Sequence, residues 1–473
     1  MVAQPISFDD NEIRLNWQEI LESIPYNANE PLVCKLFVEP LLAELGFSQQ
    51  EWFPEFSTGK GSCKVDYAAR KNNHKAIFIK AKTNPYLLIE AKGRQTNGGA
   101  KINLATGTPQ YKDAQIQIKD YLLSPNCKTA QWGIITNSEH IQLFRRHGKV
   151  VFPATENYLI KKDNIEQIIT QIKRFINQTP RALSICVYND KGGVGKSTTV
   201  ANLASVLGIL NKKVLVIDFD PQQGDLTASL GKGEASVKFS DALMNTKINI
   251  DDVIQPFFIQ LKQKQVHVFD LICPDDKLEE IMTNEIKMAQ IQGGNTRLRR
   301  LIHPLLNCYD YIIFDSPTNW SFLSKSCVYA SDVVLIPTNS NNFASLKNAK
   351  KVIKQYLPEI QDERRKNHEY GIPIALPIFF NQHSSTEAQM KTTHEEIKKL
   401  LTIETPRGSL RDEELFSLFY PKSINGLADQ SVFNIPQYAI VASAAFSRRP
   451  AALSHQTAYQ YYLALAKEYF INE

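Results

Sequence analysis

The sequence predicts an α/β protein: a small α/β unit, then a larger domain with a mostly parallel sheet covered by helices on both faces. Three observations carry that prediction. At 473 residues the chain exceeds one ordinary domain. From residue 183 onward, apolar stretches of strand length alternate with helical patterns, as in sheets whose strands are buried on both sides. A glycine-rich loop at 191–199 follows one of those strands and opens a helical stretch, the order of a phosphate-binding turn.

In the first half, apolar spacing predicts a helix over Leu32–Leu45. Short apolar runs at 76–79 and 86–90 follow, then a helical segment around 110–123 and runs at Trp132–Thr136 and His140–Arg145. Over Asp163–Ile176 the apolar positions 165, 168, 169, 172, 175 and 176 recur with helical period. Asn177-Gln-Thr-Pro180 breaks that helix. Domains are therefore expected at 26–177 and 183–473, with a lead over 1–25 and a linker over 178–182. In the second half the candidate strands are Leu183–Tyr188, Lys213–Asp218, Val266–Ile272, Tyr311–Asp315, Asp332–Pro337 and Pro373–Phe380. Glu359–Glu369 is densely charged and reads as a solvated helix face.

Composition narrows the class. Hydrophobic residues make up 43% and charged residues 22%, a globular balance. No apolar run reaches the length of a membrane span, and the acidic N-terminus lacks a signal-peptide pattern. Seven cysteines with no Cys-x-x-Cys argue against a disulfide framework or zinc site, so a cytoplasmic location is expected. The net charge of +5 hides an asymmetry: residues 60–119 hold twelve basic residues against three acids.

The loop Lys191-Gly-Gly-Val-Gly-Lys-Ser-Thr-Thr199 carries the strongest chemistry. Its glycines let backbone N–H groups close around phosphate oxygens, and the following helix adds its dipole. Lys196 would reach the β- and γ-phosphates and Ser197 would ligate Mg²⁺. Asp218 and Asp220 end one predicted strand and Asp315 another. Ligands sit at strand C-termini in open α/β sheets, where a carboxylate serves the Mg²⁺ water shell or orients a water.

This loop, with its extra lysine at the start, resembles the deviant Walker A box of the ParA/MinD partition ATPases. Asp218-Phe-Asp220-Pro-Gln resembles that family's second box and Phe314-Asp315-Ser-Pro its Walker B. The resemblance continues through Val334-Leu-Ile-Pro, Ile378-Phe-Phe-Asn381 and Ile435-Pro-Gln to Ala445-Phe-Ser-Arg-Arg. It implies an ATP-sandwich homodimer in which Lys191 reaches the partner's nucleotide. Gly192, Gly193, Val194, Gly195, Lys196, Ser197 and Thr198 would hold ATP, and Asn381 would contact the base. Asp220 would position water, with Ser197, Asp218 and Asp315 near Mg²⁺. Arg448 and Arg449 would be candidates for non-specific DNA contact. Asp190 stands just before the signature lysine where the family often has Gln, and Ser316 and Thr318 flank one proline where many members have two.

The first half holds a second constellation. Tyr86-Leu-Leu-Ile-Glu90-Ala-Lys92 reads as a buried strand ending in a carboxylate and a lysine on one face. With Asp66 from the extended Lys64–Tyr67 stretch, they could hold Mg²⁺ and support a water nucleophile. These residues resemble the N-terminal nuclease domain of type I restriction HsdR subunits, in the restriction-endonuclease-like PD-(D/E)XK superfamily. Asn29-Glu30 with Phe37-Val-Glu-Pro-Leu-Leu resembles its opening helix, Val65-Asp66-Tyr and Ile89-Glu90-Ala-Lys92 its acidic motifs, and Gln117-x-x-x-Tyr121 its Gln-x-x-x-Tyr motif. The resemblance implies that Asp66, Glu90 and Lys92 are catalytic, with Mg²⁺ or Mn²⁺ on Asp66 and Glu90. Glu30 would be an extra metal contact, and Gln117 and Tyr121 would position DNA. The Gly-, Thr- and Asn-rich segment Thr96–Pro109 reads as a loop that approaches substrate or is disordered.

Together the resemblances imply an ATP-hydrolysing, DNA-binding protein with a fused metal-dependent nuclease domain, nucleoid-associated and without membrane attachment. ATP-gated cleavage of foreign DNA is one expected use. The alternative is a plasmid or cargo partition ATPase, with an adaptor partner, whose N-terminal domain binds DNA without cleaving it.

Overall fold

The computed structural model describes residues 15–96, 98–222, 224–261, 263–384, 386–406, 408–422 and 429–472. The stretch read above for a targeting signal, 1–14, lies outside the described residues. The chain forms two compact units: one runs to Arg146 and resumes over Pro153–Thr179, the other comprises His147–Phe152 and Pro180 onward.

The first unit is organised on a mixed sheet of β1 (Trp52–Ser57), β2 (Lys64–Ala69), β3 (Leu87–Ala91), β4 (Trp132–Thr136) and β5 (His140–His147), in that order. All neighbours are antiparallel except β3 and β4. A parallel pair needs a crossover, and the helix Pro109–Leu122 supplies it. Every residue of β3 and β4 is buried, so the central strands read as continuous apolar runs rather than alternating ones. The chain continues through β6 (Val150–Pro153) and β7 (Tyr158–Leu159), the latter paired with β5. The helix Ile165–Asn177 buries Ile165, Ile168, Ile169, Ile172 and Ile176, the stripe its periodicity predicts.

The described part of the 1–25 lead is helical. Asn16 caps a helix Trp17–Ser23, and Trp17, 2% exposed, packs edge-on against Phe37 with centroids 5.7 Å apart. The run at 76–79 leads into one helical turn, Phe78–Ala81, in which only Phe78 is buried.

In the second unit seven strands follow the order β10-β11-β9-β12-β8-β13-β15: β8 (Leu183–Val187), β9 (Val214–Asp218), β10 (Gln255–Leu261), β11 (Lys264–Ile272), β12 (Tyr311–Asp315), β13 (Val333–Leu335) and β15 (Ile374–Ala375). All pairs are parallel except β10–β11. Leu183, Ile185 and Val187 of β8 face one buried cluster, shared with Leu203 and Leu207 of the helix Lys196–Ile209. Cys186 faces the opposite cluster, with Leu323 and Cys327 of the helix Phe322–Ala330. Both faces are thus covered, as the alternation predicts.

Two predicted strands divide at prolines, which lack the N–H a ladder needs. Asp332–Pro337 becomes β13 and β14 (Pro337–Thr338). Pro373–Phe380 becomes β15 and β16 (Phe379–His383), which pairs in parallel with β14. An exposed hairpin, β17 (Thr402–Thr405) with β18 (Gly408–Arg411), and a last strand β19 (Asn434–Pro436) beside β16 complete the described strands. Among the described residues no helix is long and apolar enough to cross a membrane.

Candidate functional site

The second unit converges on the loop between β8 and the helix Lys196–Ile209. Gly193 (φ +76°) and Gly195 (φ +81°) take left-handed conformations that side chains resist. A Cβ on Gly195 would collide with the Asn381 amide. That amide donates to Val194 O at 2.9 Å, and Asn381 is 3% exposed. Asn381, which the resemblance assigns to a base, braces the loop through this bond. Lys191, Gly192 and Gly193 lie along the outer loop. Lys196, Ser197 and Thr198 form the first helical turn and, with Gly193, Asp220 and Thr318, line a cavity of about 520 Å³.

Parallel register places Asp315 level with Val187 on one side and Asp218 on the other. Asp218 accepts from Thr227 N (3.0 Å) and Oγ1 (2.6 Å) and from Asp220 N (3.2 Å). Burial pushes its carboxyl up to about 6 against those hydrogen bonds. Burial, then the neighbouring Asp218 charge, hold Asp315 well above the carboxylate range, while Ser197 pulls it down. Asp315 Oδ1 is buried without a hydrogen-bond partner. Lys196 Nζ donates to Thr318 Oγ1 at 3.2 Å, and burial lowers its pKa against the pull of Asp315 and Asp220. An orphaned carboxylate oxygen beside Ser197, a loop open to backbone donors and a buried lysine fit a nucleoside triphosphate with Mg²⁺. Ser197, Asp218 and Asp315 would be the residues to hold the ion.

Two members of this site carry no role in the sequence reading: Thr318, named there only as a flank of Pro317, engages Lys196, and Thr227 holds Asp218. Arg449, read as a DNA contact, lines the cavity and donates to Leu453 O at 2.8 Å. Arg448 is exposed, as its reading requires.

The first unit brings together residues far apart in sequence. The register of Tyr67 with Ile89 continues to set Asp66 opposite Glu90. Asp66 Oδ2 accepts from Ala91 N at 2.6 Å, and Lys92 Nζ donates to Glu90 Oε1 at 2.5 Å. Glu90 is 3% exposed, and its Oε2 has no partner. Burial, then the Asp66 charge, raise its carboxyl to about 8. Burial raises Asp66 to about 6, the Ala91 bond opposing and Glu30 adding. Burial pulls the Lys92 ammonium down, but Glu90 outweighs it and holds it above its ordinary value.

Glu30 opens the helix Glu30–Val33. It comes close because the chain after Lys92 packs on that helix start: a Cβ on Gly93 would sit 2.9 Å from Glu30 N. Gln117 Nε2 donates to Tyr121 Oη at 2.7 Å, and Tyr121 feels Glu90, Lys92 and Asp66. All six residues named for this site are therefore gathered. Cys34 was missed; burial and the charges of Asp66, Glu30 and Glu90 push its thiol up to about 12. It opens a π-helical turn, Cys34–Val38, a local irregularity common near functional sites. In the Thr96–Pro109 segment, Leu104 is buried and its carbonyl accepts from Asn157. Among the described residues no cluster of three or more His, Cys, Asp or Glu is arranged to hold a metal alone. Asp66 and Glu90, with one oxygen orphaned, fit a water-rich Mg²⁺, which needs only one or two carboxylates.

Comparison with known proteins concerns the second unit. Residues 182–369 match the family described as AAA domain. An uncharacterized protein of Pseudomonas putida is 30% identical over 211 residues, 43% of this chain and 74% of that protein. The chromosome partitioning protein ParA of Myxococcus xanthus is 33% identical over 162 residues, 34% of this chain and 53% of that protein. A solved ATP complex of Cyanothece McdA is 19% identical, covering 62% of this chain and 98% of that one, with a TM-score of 0.44. Residues 182–369 thus form a P-loop ATPase domain of the ParA/MinD type.

Proposed function

We propose that the protein is an ATP-hydrolysing, DNA-binding ATPase of the ParA type whose first unit is a metal-dependent DNA endonuclease, with ATP gating cleavage. The observation that carries the nuclease reading is buried Glu90, one of its oxygens orphaned, set opposite half-buried Asp66 with Lys92 alongside. In that reading Asp66 and Glu90 hold Mg²⁺ or Mn²⁺. When bound, the ion would supply positive charge beside the scissile phosphate and a more acidic water. Lys92 places positive charge at the same spot, while Gln117 and Tyr121 position the strand. Exposed lysines of the surrounding stretch, such as Lys60, Lys75, Lys80 and Lys101, attract the phosphate backbone without reading sequence.

In the second unit Lys196 and the backbone of 192–198 take the triphosphate, Asp220 positions the attacking water, and Lys191 reaches the nucleotide of a second copy. The name of the Myxococcus relative favours a second reading, a partition ATPase at the nucleoid with an adaptor partner and a non-cleaving first unit. Supercoiled plasmid separates the two. Nicking by wild type with Mg²⁺ or Mn²⁺, lost in Asp66→Ala, supports the nuclease. No nicking under any metal condition, with ATP turnover intact, leaves the partition reading.

A further inference from the structure

The two lysines of the phosphate loop are joined by a second route that runs outside the cavity. It begins at Asp190, next to Lys191. Asp190 Oδ2 accepts from Tyr356 Oη at 2.8 Å and pairs with Lys351 Nζ at 3.3 Å. Its carbonyl accepts from Asn348. The Tyr356 ring lies flat on Trp320, with centroids 4.1 Å apart and planes 4° from parallel. Tyr188, on the strand side of the loop, packs on both rings at 6.4 and 5.6 Å. Its hydroxyl donates to Thr318 O at 3.3 Å. Thr318 Oγ1 is the acceptor for Lys196. Trp320 is pinned at its other edge, where its Nε1 donates to Glu359, itself paired with Lys325.

A phosphate would compete with Thr318 for the Lys196 ammonium. Thr318 and Trp320 share one short stretch of backbone, Trp320 stacks on Tyr356, and Tyr356 grips the residue beside Lys191. We infer that Tyr356 and Asp190 are positioning residues that set Lys191 according to whether Lys196 holds nucleotide, with Trp320 as the joint between them. This inference rests on the proposed ATPase reading of the same loop. It also gives a role to the departure at Asp190: a carboxylate there binds a hydroxyl and an ammonium at once, charge-assisted contacts that hold the loop's outer end.

The full-length protein provides its own probe. Of its four tryptophans, Trp320 alone lies beyond residue 180. Intrinsic fluorescence is recorded during titration with Mg-ATP, and steady-state turnover is measured on the same samples. The expected result is a saturable emission change in wild type that Trp320→Phe removes. Tyr356→Phe keeps the stack but loses the bond to Asp190. It should keep ATP affinity within about twofold and lose about tenfold in turnover, the worth of a hydrogen bond to a charged group. Asp190→Asn retains an acceptor for the tyrosine and should lose less. Tyr356→Phe turning over at the wild-type rate overturns the inference. So does an unchanged emission in a wild type that hydrolyses ATP, or a Tyr356→Phe loss matched by equal losses of affinity and melting temperature. A wild type that binds no ATP instead overturns the reading of the nucleotide site itself.

Discussion

The two candidate sites solve the same electrostatic problem with opposite sequence logic. Each sets a pair of carboxylates side by side on adjacent strands, buried Asp218 with Asp315 and half-buried Asp66 with buried Glu90, and leaves one oxygen orphaned, Asp315 Oδ1 or Glu90 Oε2. Each sets a lysine nearby. In the second unit most of the machinery is one contiguous loop whose backbone does the binding. In the first it is assembled from Glu30, Asp66, Glu90–Lys92 and Gln117–Tyr121, on a helix, two strands and a crossover helix. A backbone site is written in one stretch of sequence, whereas a side-chain site becomes visible only once the sheet register is known.

Breaking one site while the other is read tests that comparison most strongly. Asp66→Ala or Glu90→Gln should cost about 1000-fold or more in plasmid nicking, since the ion and its activated water lose a holder, while ATP turnover stays at the wild-type level. Lys196→Ala should weaken Mg-ATP binding by about 100-fold or more, measured with a fluorescent analogue, because charge-assisted contacts to phosphate are lost. Its metal-dependent nicking without ATP should be unchanged. Gly195→Ala sharpens the backbone half of the comparison. It forces a side chain into a left-handed conformation and onto the Asn381 amide, at a cost of about 2 kcal/mol or more in stability. Thermal unfolding and ATP affinity should fall together.

The smallest effect is a pH slope. Glu90 and Asp66 are raised to about 8 and about 6 from ordinary values of 4.5 and 3.8. Carboxyls raised on folding add stability that is complete below the unfolded values and is lost as pH climbs through the folded ones. In EDTA the first unit should therefore melt lower at pH 8 than at pH 5, and Glu90→Gln should flatten the slope. A melting temperature that rises over that window contradicts the burial described here.

How much was legible follows from the same physics. The strands β8, β9 and β12 were placed to within a residue because their burial on both faces leaves uninterrupted apolar runs. Strand β10 was not seen. Pro256 is its second residue, and its register shifts between Phe257 and Phe258, which breaks the alternation a strand shows when read alone. The helix at Trp17 was missed because its seven residues are too few for periodicity; its Asn16 cap was the only signal. Asn381 was picked out, yet its bond to Val194 O belongs to tertiary structure. So do the hydroxyls of Thr227 and Thr318 and the approach of Cys34, none of which has a spacing rule that points to it. Of the two arginines read together at 448 and 449, neighbouring side chains diverge, and only the fold shows which one turns to the cavity.

The central claim is that the ATPase governs cleavage by the first unit. The most direct measurement is the rate of nicking of supercoiled plasmid in Mg²⁺ or Mn²⁺, with and without ATP, for wild type beside Lys196→Ala. The account predicts that ATP changes the wild-type rate and leaves the Lys196→Ala rate unchanged, with Asp66→Ala inactive throughout. Wild-type nicking that is indifferent to ATP, or nicking that survives Asp66→Ala, would contradict it.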